Sequence, residues 1–373
     1  MKSTRVVHLS TAHRLKDPRI FYKQCVSLRA AGYDVHLVAQ HDCDETVDGI
    51  PVVALPLGHG RHHRTLIQRT AYQRARQLEA DLYHFHDPEL IPVAYALQKA
   101  TGARIIYDMH EDYAARGGVE GRLLRGLEHW CFSWVDHVVI AEEGYETIVR
   151  GVPHTPVLNY FFSPNAQRNG NPDLVSDETC RPFRLCCTGV QSAGRGLNEM
   201  IDLAYAFLQA GKPWQLDIVG ICHRECDRAH AMKRIRTLKL EDTVRLTGWD
   251  RYLSWPQMAP FFREAHVGLA LMRPHPNYRI SIPTKFYEYL HFGLPIVCTD
   301  FPLWRAFIEE NECGAVVDPG NVAELMRLLS VWDDDRVHYR ELSDHARASA
   351  PKYRWSAMED RLRQIYANLL QIH

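Results

Sequence analysis

Two runs of short apolar strands alternating with helical patterns, parted by a polar break, constrain this chain more than any other feature. The first run reads as strand Val6–Leu9, helix Ile20–Ala31 closed by Gly32, strands Val35–Ala39 and Val52–Leu55, helix Arg64–Glu79 and strand Leu82–Phe85. Helix Leu90–Thr101, strand Arg104–Tyr107, helix Gly121–Val135 and strand His137–Ala141 complete it. Strands this short and apolar, each followed by a helix, predict a parallel sheet covered on both faces. The stretch Ser163–Pro182 is rich in Asn, Pro, Ser and Asp and reads as a linker or exposed loop. Beyond it the alternation restarts, with strands Phe183–Val190, Trp214–Val219, Val244–Leu246, Val267–Ala270 and Ile296–Thr299. Helices are expected at Leu197–Ala210 and Val322–Trp332, the latter after a turn at Asp318-Pro319-Gly320, and a final amphipathic helix at about Trp355–Leu370.

At 373 residues the chain is too long for one ordinary core. The expected division is 1–165, a linker at 166–182, a second domain at 183–352 and a terminal segment at 353–373. Two such Rossmann-like α/β domains facing across a cleft would bind ligands at the carboxyl ends of their strands.

Hydrophobic residues at 46% and charged ones at 24% are those of a soluble globular protein. A formal charge of −1 argues against nucleic acid as a partner. Ten cysteines at irregular spacings, Cys186 and Cys187 among them, suit reduced buried thiols better than a disulfide framework. Cys222 to Cys226 has no second ligand pair at zinc spacing and reads as a loop after a strand. No apolar run reaches about 18 residues and no secretory segment opens the sequence, so the expected location is the cytoplasm. The segment 59–76 holds five arginines and three histidines without an acid, beside Leu66, Ile67 and Tyr72. It is either a peripheral contact with anionic lipid on the inner face of the cell membrane or a solvated basic helix.

The densest chemistry lies in Arg279–Thr299. Pro283 suits the first turn of a helix, and Gly293 with Pro295 closes it before a buried strand. Lys285 and Glu288, three apart, share a face near the helix start. Free N–H groups and a positive dipole there suit a phosphate, and a carboxylate one turn on can accept both hydroxyls of a ribose. The plainer alternative is a surface Lys–Glu pair. Gly189 to Gly196 follows a strand and opens a helix, but it lacks the Lys-Ser/Thr of a P-loop, and no GxGxxG is present. Two strand ends carry histidines, at His84-Phe85-His86-Asp87 and at Tyr107-Asp108-Met109-His110. A lone strand-end His is more often structural; its double occurrence with acids following favours function. In the loop Ser10–Arg19, Asp17 reads as a helix cap with Pro18 at the first helical position.

The segment PTKFYEYLHFGLPIVCTDFP at 283–302 resembles the donor site of retaining glycosyltransferases of family 4, which have the GT-B architecture. DPRIFYKQCVSL at 17–28 resembles members from bacterial surface-polysaccharide pathways. The resemblance implies that Glu288, seven residues before Pro295, grips the nucleotide ribose. Ile280 stands where the family has an earlier Glu, and Val190 where it often has a second basic residue. Arg195, just before Gly196, would hold the donor diphosphate together with Lys285. Thr284, Gly189 and Gly196 would line the donor, and Trp249 would stack on uracil or else be a buried Trp at a domain edge. His110 would contact the transferred sugar, while His86, His13 and Arg19 would face the acceptor. The family's terminal helix crosses back onto the first domain.

The function so implied is retaining transfer of a hexose from a nucleotide sugar, UDP-linked by expectation, to a glycan or lipid-linked glycan in surface-polysaccharide synthesis. Arg195 and Lys285 would neutralise the leaving diphosphate, so neither a metal nor another cofactor is expected. Retention would proceed by front-face attack. The rivals are a nucleotide-sugar epimerase of the same shape and a nucleotide-sugar-binding protein without turnover.

Overall fold

Runs that are largely apolar fold as strands covered on both faces, and Leu82–Phe85, Val267–Ala270 and Ile296–Thr299 are buried throughout. A computed structural model describes residues 3–13, 15–58, 61–162 and 182–371. It divides into two α/β units, one made of Met1–Tyr160 with Trp355–His373, the other of Phe161–Arg354. Residues 166–181 of the expected linker lie outside the described residues.

The first unit is built on β1 (Arg5–Leu9), β2 (Asp34–Gln40), β3 (Glu45–Val47), β4 (Ile50–Leu55), β5 (Leu82–Phe85), β6 (Arg104–Met109), β7 (His137–Ile140) and β8 (His154–Pro156). Their spatial order is β3-β4-β2-β1-β5-β6-β7-β8. All neighbours are parallel except β3 and β4. That hairpin turns at Asp48-Gly49, both with positive φ. The chain moves outward from β1 on one side and then restarts beside β1 at β5. The β1–β5 boundary is therefore the switch point, where the connecting loops part and leave a crevice. Trp355–Leu370 packs on this unit, with Trp355 Nε1 donating to Ser27 Oγ at 2.9 Å and Tyr366 fully buried.

The helix expected over Ile20–Ala31 is a π-helix at Pro18–Cys25 followed by a short α-helix at Val26–Ala30. Asp17 caps it by accepting from the backbone N–H of Arg19 and Ile20. Winding with i→i+5 bonds brings Gln24 nearly over Arg19, and both side chains reach the same carboxylate, Asp108.

The second unit has β9 (Phe183–Thr188), β10 (Trp214–Val219), β11 (Val244–Thr247), β12 (Val267–Ala270), β13 (Ile296–Thr299) and β14 (Gly314–Val317), all parallel, in the order β11-β10-β9-β12-β13-β14. Its switch point is the β9–β12 boundary. These strands pair only at Val267↔Leu185 and Gly268↔Cys186 before diverging. Tyr289 fills the divergence, its hydroxyl 3.1 Å from the Cys186 carbonyl oxygen and 3.0 Å from that of Leu269. Its ring occupies the space a Cβ on Gly268 would need.

Helices at Glu225–Thr237, Trp255–Glu264, Pro302–Asn311 and Arg336–Ser349 were not expected. The first buries only Ala231 and Ile235, too thin a stripe to stand out as a helical period. Among the described residues no helix is long and apolar enough to cross a membrane. Of the basic segment, residues 59 and 60 lie outside the described residues and the rest forms the helix Arg61–Gln77. Ile67 belongs to the core rather than to an outer apolar face, Leu66 is exposed, and Arg74 is paired with Asp44.

Candidate active-site residues

Residues that follow β1, β5 and β6 converge on Asp108 at the switch point of the first unit. Asp108 is fully buried and accepts five hydrogen bonds. Arg19 forks onto it through Nε (2.9 Å) and Nη2 (2.6 Å), and Gln24 Nε2 donates at 2.7 Å. His86 Nδ1 and His110 Nε2 each lie 3.1 Å from Oδ2. Burial alone would raise this carboxyl; the Arg19 charge, then His110 and the imidazole hydrogen bonds, hold it well below the usual range. Asp108 is therefore an anion at neutral pH, and His110 presents Nδ1 on the side away from it. In that tautomer Nδ1 is a lone-pair acceptor suited to a sugar hydroxyl.

Asp87, at the end of β5, ties down the loop after β1. Its Oδ2 accepts from Ser10 Oγ (2.9 Å) and from the backbone N–H of Thr11 (2.5 Å) and Ala12 (3.2 Å). His13 is thereby brought to a ring distance of 4.6 Å from His110, with its nitrogens 3.4 Å from Asp17 and Asp87. Burial works against protonation of His13, but the Asp17 hydrogen bond and the Asp87 charge outweigh it and raise its pKa. His13 and His110 are the partly exposed members of the group, at 27% and 11% of the side chain.

Two residues expected on the acceptor side sit elsewhere. Arg19 is 5% exposed, with its remaining donor on Val157 O at 2.7 Å and Asn159 Oδ1 at 3.1 Å. His86 is wholly buried between His8 and Asp108. Both side chains point into the unit and are engaged with Asp108. A strand-end histidine looks the same in sequence whichever face it takes, and with both faces of the sheet covered the alternation cannot decide. Asp108 was not singled out in the sequence, although its place two residues before His110 at the end of β6 was a signal that the two share a face.

His8, His84 and His86 form one close set of potential metal ligands, and His86, Asp108 and His110 another. In the first set the His84 and His86 rings stack at 21° and those of His8 and His86 at 17°. Of these nitrogens His8 Nδ1 and His86 Nε2 already face each other at 3.0 Å, and His84 Nδ1 faces the Tyr366 hydroxyl at 2.6 Å. In the second set the Arg19 guanidinium already takes the carboxylate.

Burial is the first cause that depresses all three buried histidines below 6.5, His86 to about 3. Above pH 6.5 folded and unfolded forms both carry neutral rings. Below it the unfolded chain takes up protons that the folded rings refuse, so stability falls as pH drops toward 3. His13, with its raised pKa, and Glu128, raised to about 7 by burial, act in the opposite sense. About 2 kcal/mol per buried ring at pH 5 leaves a net loss. The urea midpoint is expected to be lower at pH 5 than at pH 7.5, and an equal or higher one would contradict neutral burial.

In the second unit the candidate donor residues gather at the carboxyl end of β9 and β12. Gly189 and Gly196 both have positive φ, and a Cβ on Gly196 would collide with the Leu271 carbonyl. This close approach keeps the Gly189–Gly196 loop against the end of β12, where Arg273 N donates to Gly194 O at 3.0 Å. Gly196→Ala should therefore cost about 2–5 kcal/mol from strain and overpacking together. Thermal denaturation measures it, and a change under 1 kcal/mol would show that the loop shifts freely.

Arg195 is half-buried, its guanidinium 5.8 Å from the centre of the Tyr278 ring. The helix at Thr284–His291 connects β12 to the parallel β13, so its N-terminus opens at the same end of the sheet. Pro283 is the residue before that helix rather than its first turn. Thr284 is exposed and Glu288 half-buried. Lys285 is 5% exposed with Nζ 3.4 Å from Cys187 Sγ, the side chain reaching back under β9. Trp249, after β11, packs on the core cluster with its indole N–H buried and its carbonyl accepting from Cys222 N.

Two domain models match the chain: a glycosyl transferase 4-like domain over residues 19–158 and glycosyl transferases group 1 over residues 182–331. No curated protein sequence matches it. Among solved structures it is similar to sucrose-phosphate synthase from Thermosynechococcus elongatus, at 15% identity and a TM-score of 0.75 over 99% of this chain and 100% of that one. HepE of Anabaena, solved with UDP and glucose, is similar at 14% identity and a TM-score of 0.73, covering 98% and 100%. WaaG, a glycosyltransferase involved in lipopolysaccharide biosynthesis, follows at 15% identity and 0.68, covering 97% and 99%. At such identities these likenesses carry the fold.

Proposed function

We propose, from the premise that the chain belongs to the glycosyltransferases of GT-B fold, that it moves a hexose from UDP-sugar to a glycan or lipid-linked glycan with retention of configuration. The observation that carries this is the meeting of Lys285, the Gly189–Gly196 loop with Arg195, and the Thr284–His291 N-terminus at one switch point. That constellation would offer a diphosphate two side-chain cations and a helix dipole, which would stabilise the leaving group without a metal. Glu288, one turn into the same helix, would accept the ribose hydroxyls. HepE was solved with UDP and glucose, and this supports a uridine nucleotide as the donor's handle here.

His110 would meet the transferred sugar through Nδ1, and His13 beside it would face the acceptor. The leaving diphosphate would take the acceptor's proton as the new bond forms on the same face. Ile280, half-buried where the resemblance expects Glu, would leave the sugar's hydroxyls to other partners. Surface polysaccharide is the proposed destination, in keeping with the involvement of WaaG in lipopolysaccharide biosynthesis. Placement in the cytoplasm, with the 61–77 helix against anionic lipid, belongs to the same proposal.

Incubating the protein with UDP-hexoses and a lipid-diphosphate glycan, followed by mass spectrometry, should show one added hexose. Hexose isomerised or released without acceptor would instead favour an epimerase, and tight UDP binding with neither product a binding protein. Glu288→Ala should weaken UDP binding by roughly 10- to 100-fold in titration calorimetry, the worth of charge-assisted hydrogen bonds. Unchanged affinity would remove Glu288 from the ribose.

A further inference from the structure

A chain of buried hydrogen bonds runs from the terminal helix to Asp108, the carboxylate that holds His110. Tyr366 Oη lies 2.6 Å from His84 Nδ1 and 3.2 Å from His8 Nε2. His8 Nδ1 is 3.0 Å from His86 Nε2, and His86 Nδ1 is 3.1 Å from Asp108 Oδ2. All five groups are fully buried, so water cannot substitute for a missing partner.

Donor and acceptor roles follow from the anionic end. A carboxylate only accepts, so His86 carries its proton on Nδ1 and presents a lone pair at Nε2. His8 must then donate through Nδ1 and accept at Nε2, and the Tyr366 hydroxyl is the donor within reach. The hydroxyl oxygen in turn accepts from His84 Nδ1. Every link pairs one donor with one acceptor, and the 3.2 Å approach of His86 Nδ1 to His110 Nε2 is that of two donors facing one oxygen.

We propose that Tyr366 is a positioning residue for His110: by donating to His8 Nε2 its hydroxyl reinforces, from the far end, the tautomers that Asp108 sets for His86 and His8, and so keeps Asp108 oriented to receive His110 Nε2–H. Without the hydroxyl the buried lone pair at His8 Nε2 loses its donor, and only the pull of Asp108 on His86 Nδ1–H is left to favour the native form over the reversed one. In the reversed form His8 Nδ1 accepts, His86 Nε2 donates, and His86 Nδ1 turns its lone pair on Asp108 Oδ2. That repulsion displaces the carboxylate and, with it, His110. The proposal rests on the glycosyl-transfer reading only in naming His110 as the residue that meets the sugar.

Two-bond 1H–15N correlation spectra of the full chain labelled at histidine test it. In the native protein His8, His84 and His86 should appear as Nδ1–H tautomers and His110 as Nε2–H. Tyr366→Phe, which removes one oxygen and keeps the ring, should convert His86 to a mixture and move the His110 resonances. In the transfer assay it should lower kcat roughly tenfold with the donor KM nearly unchanged. His86 found as Nε2–H in the native protein would overturn the proposal before any variant is made. So would a Tyr366→Phe protein whose His86 and His110 signals stay in place. Signals that respond as stated in a protein that turns over no UDP-sugar would support the network and remove the transferase reading instead.

Discussion

Replacing Asp108 by Asn should be among the most destabilising single changes available to this protein. The substitution keeps the shape but leaves the Arg19 guanidinium, 5% exposed, without its counter-charge. Breaking a buried pair in this way costs about 3–5 kcal/mol. For a domain of this size that lowers the thermal midpoint by roughly 10 °C. An amide also offers N–H groups to His86 Nδ1 and His110 Nε2, which need an acceptor, so transfer should fall by on the order of 10²-fold even where the protein stays folded. Changing Arg19→Met in the Asp108→Asn background should recover part of the lost stability, because the uncompensated charge is then gone. A midpoint within 2 °C of native for Asp108→Asn would mean that water reaches the cluster.

Lys285→Ala should give the largest effect on turnover. On the proposed reading this buried side chain at the β9–β12 switch point, beside Cys187, would meet charge that grows on a leaving diphosphate. Removing one such preorganised partner costs on the order of 10²–10³ in kcat. Because the charge develops in the transition state, donor KM should change less than kcat. Steady-state kinetics with varied UDP-sugar measures both. A kcat within twofold of native would place the diphosphate elsewhere.

The parallel strands could be anticipated because they announce themselves as largely apolar runs, and β5, β12 and β13 are buried at every position. The β3–β4 hairpin carried a readable signal too, an Asp48-Gly49 pair, but its strands are short and partly exposed. The π-helix had no local signal. Its pitch follows from where Arg19 and Gln24 must reach, and Asp108 lies 89 residues from one and 84 from the other. The donor-side candidates could be named because Lys285 and Glu288 come with a helix start, a helix stop and a strand in one segment. The histidine cluster was legible only as chemistry: nothing in β5 alone says that His86 points inward at His8. Tyr366 escaped entirely, since a tyrosine on an amphipathic helix looks like any other core aromatic.

The chain enters the second unit at Phe161, leaves it at Arg354, and pairs these two residues in an isolated bridge. On a ribosome this order matters. The second unit is contiguous and can complete itself as it emerges, whereas the lobe translated earliest waits for Trp355 and Tyr366 before its inner polar atoms are matched. A premature stop shortly after residue 354 would therefore injure the lobe synthesised first and spare the one just finished.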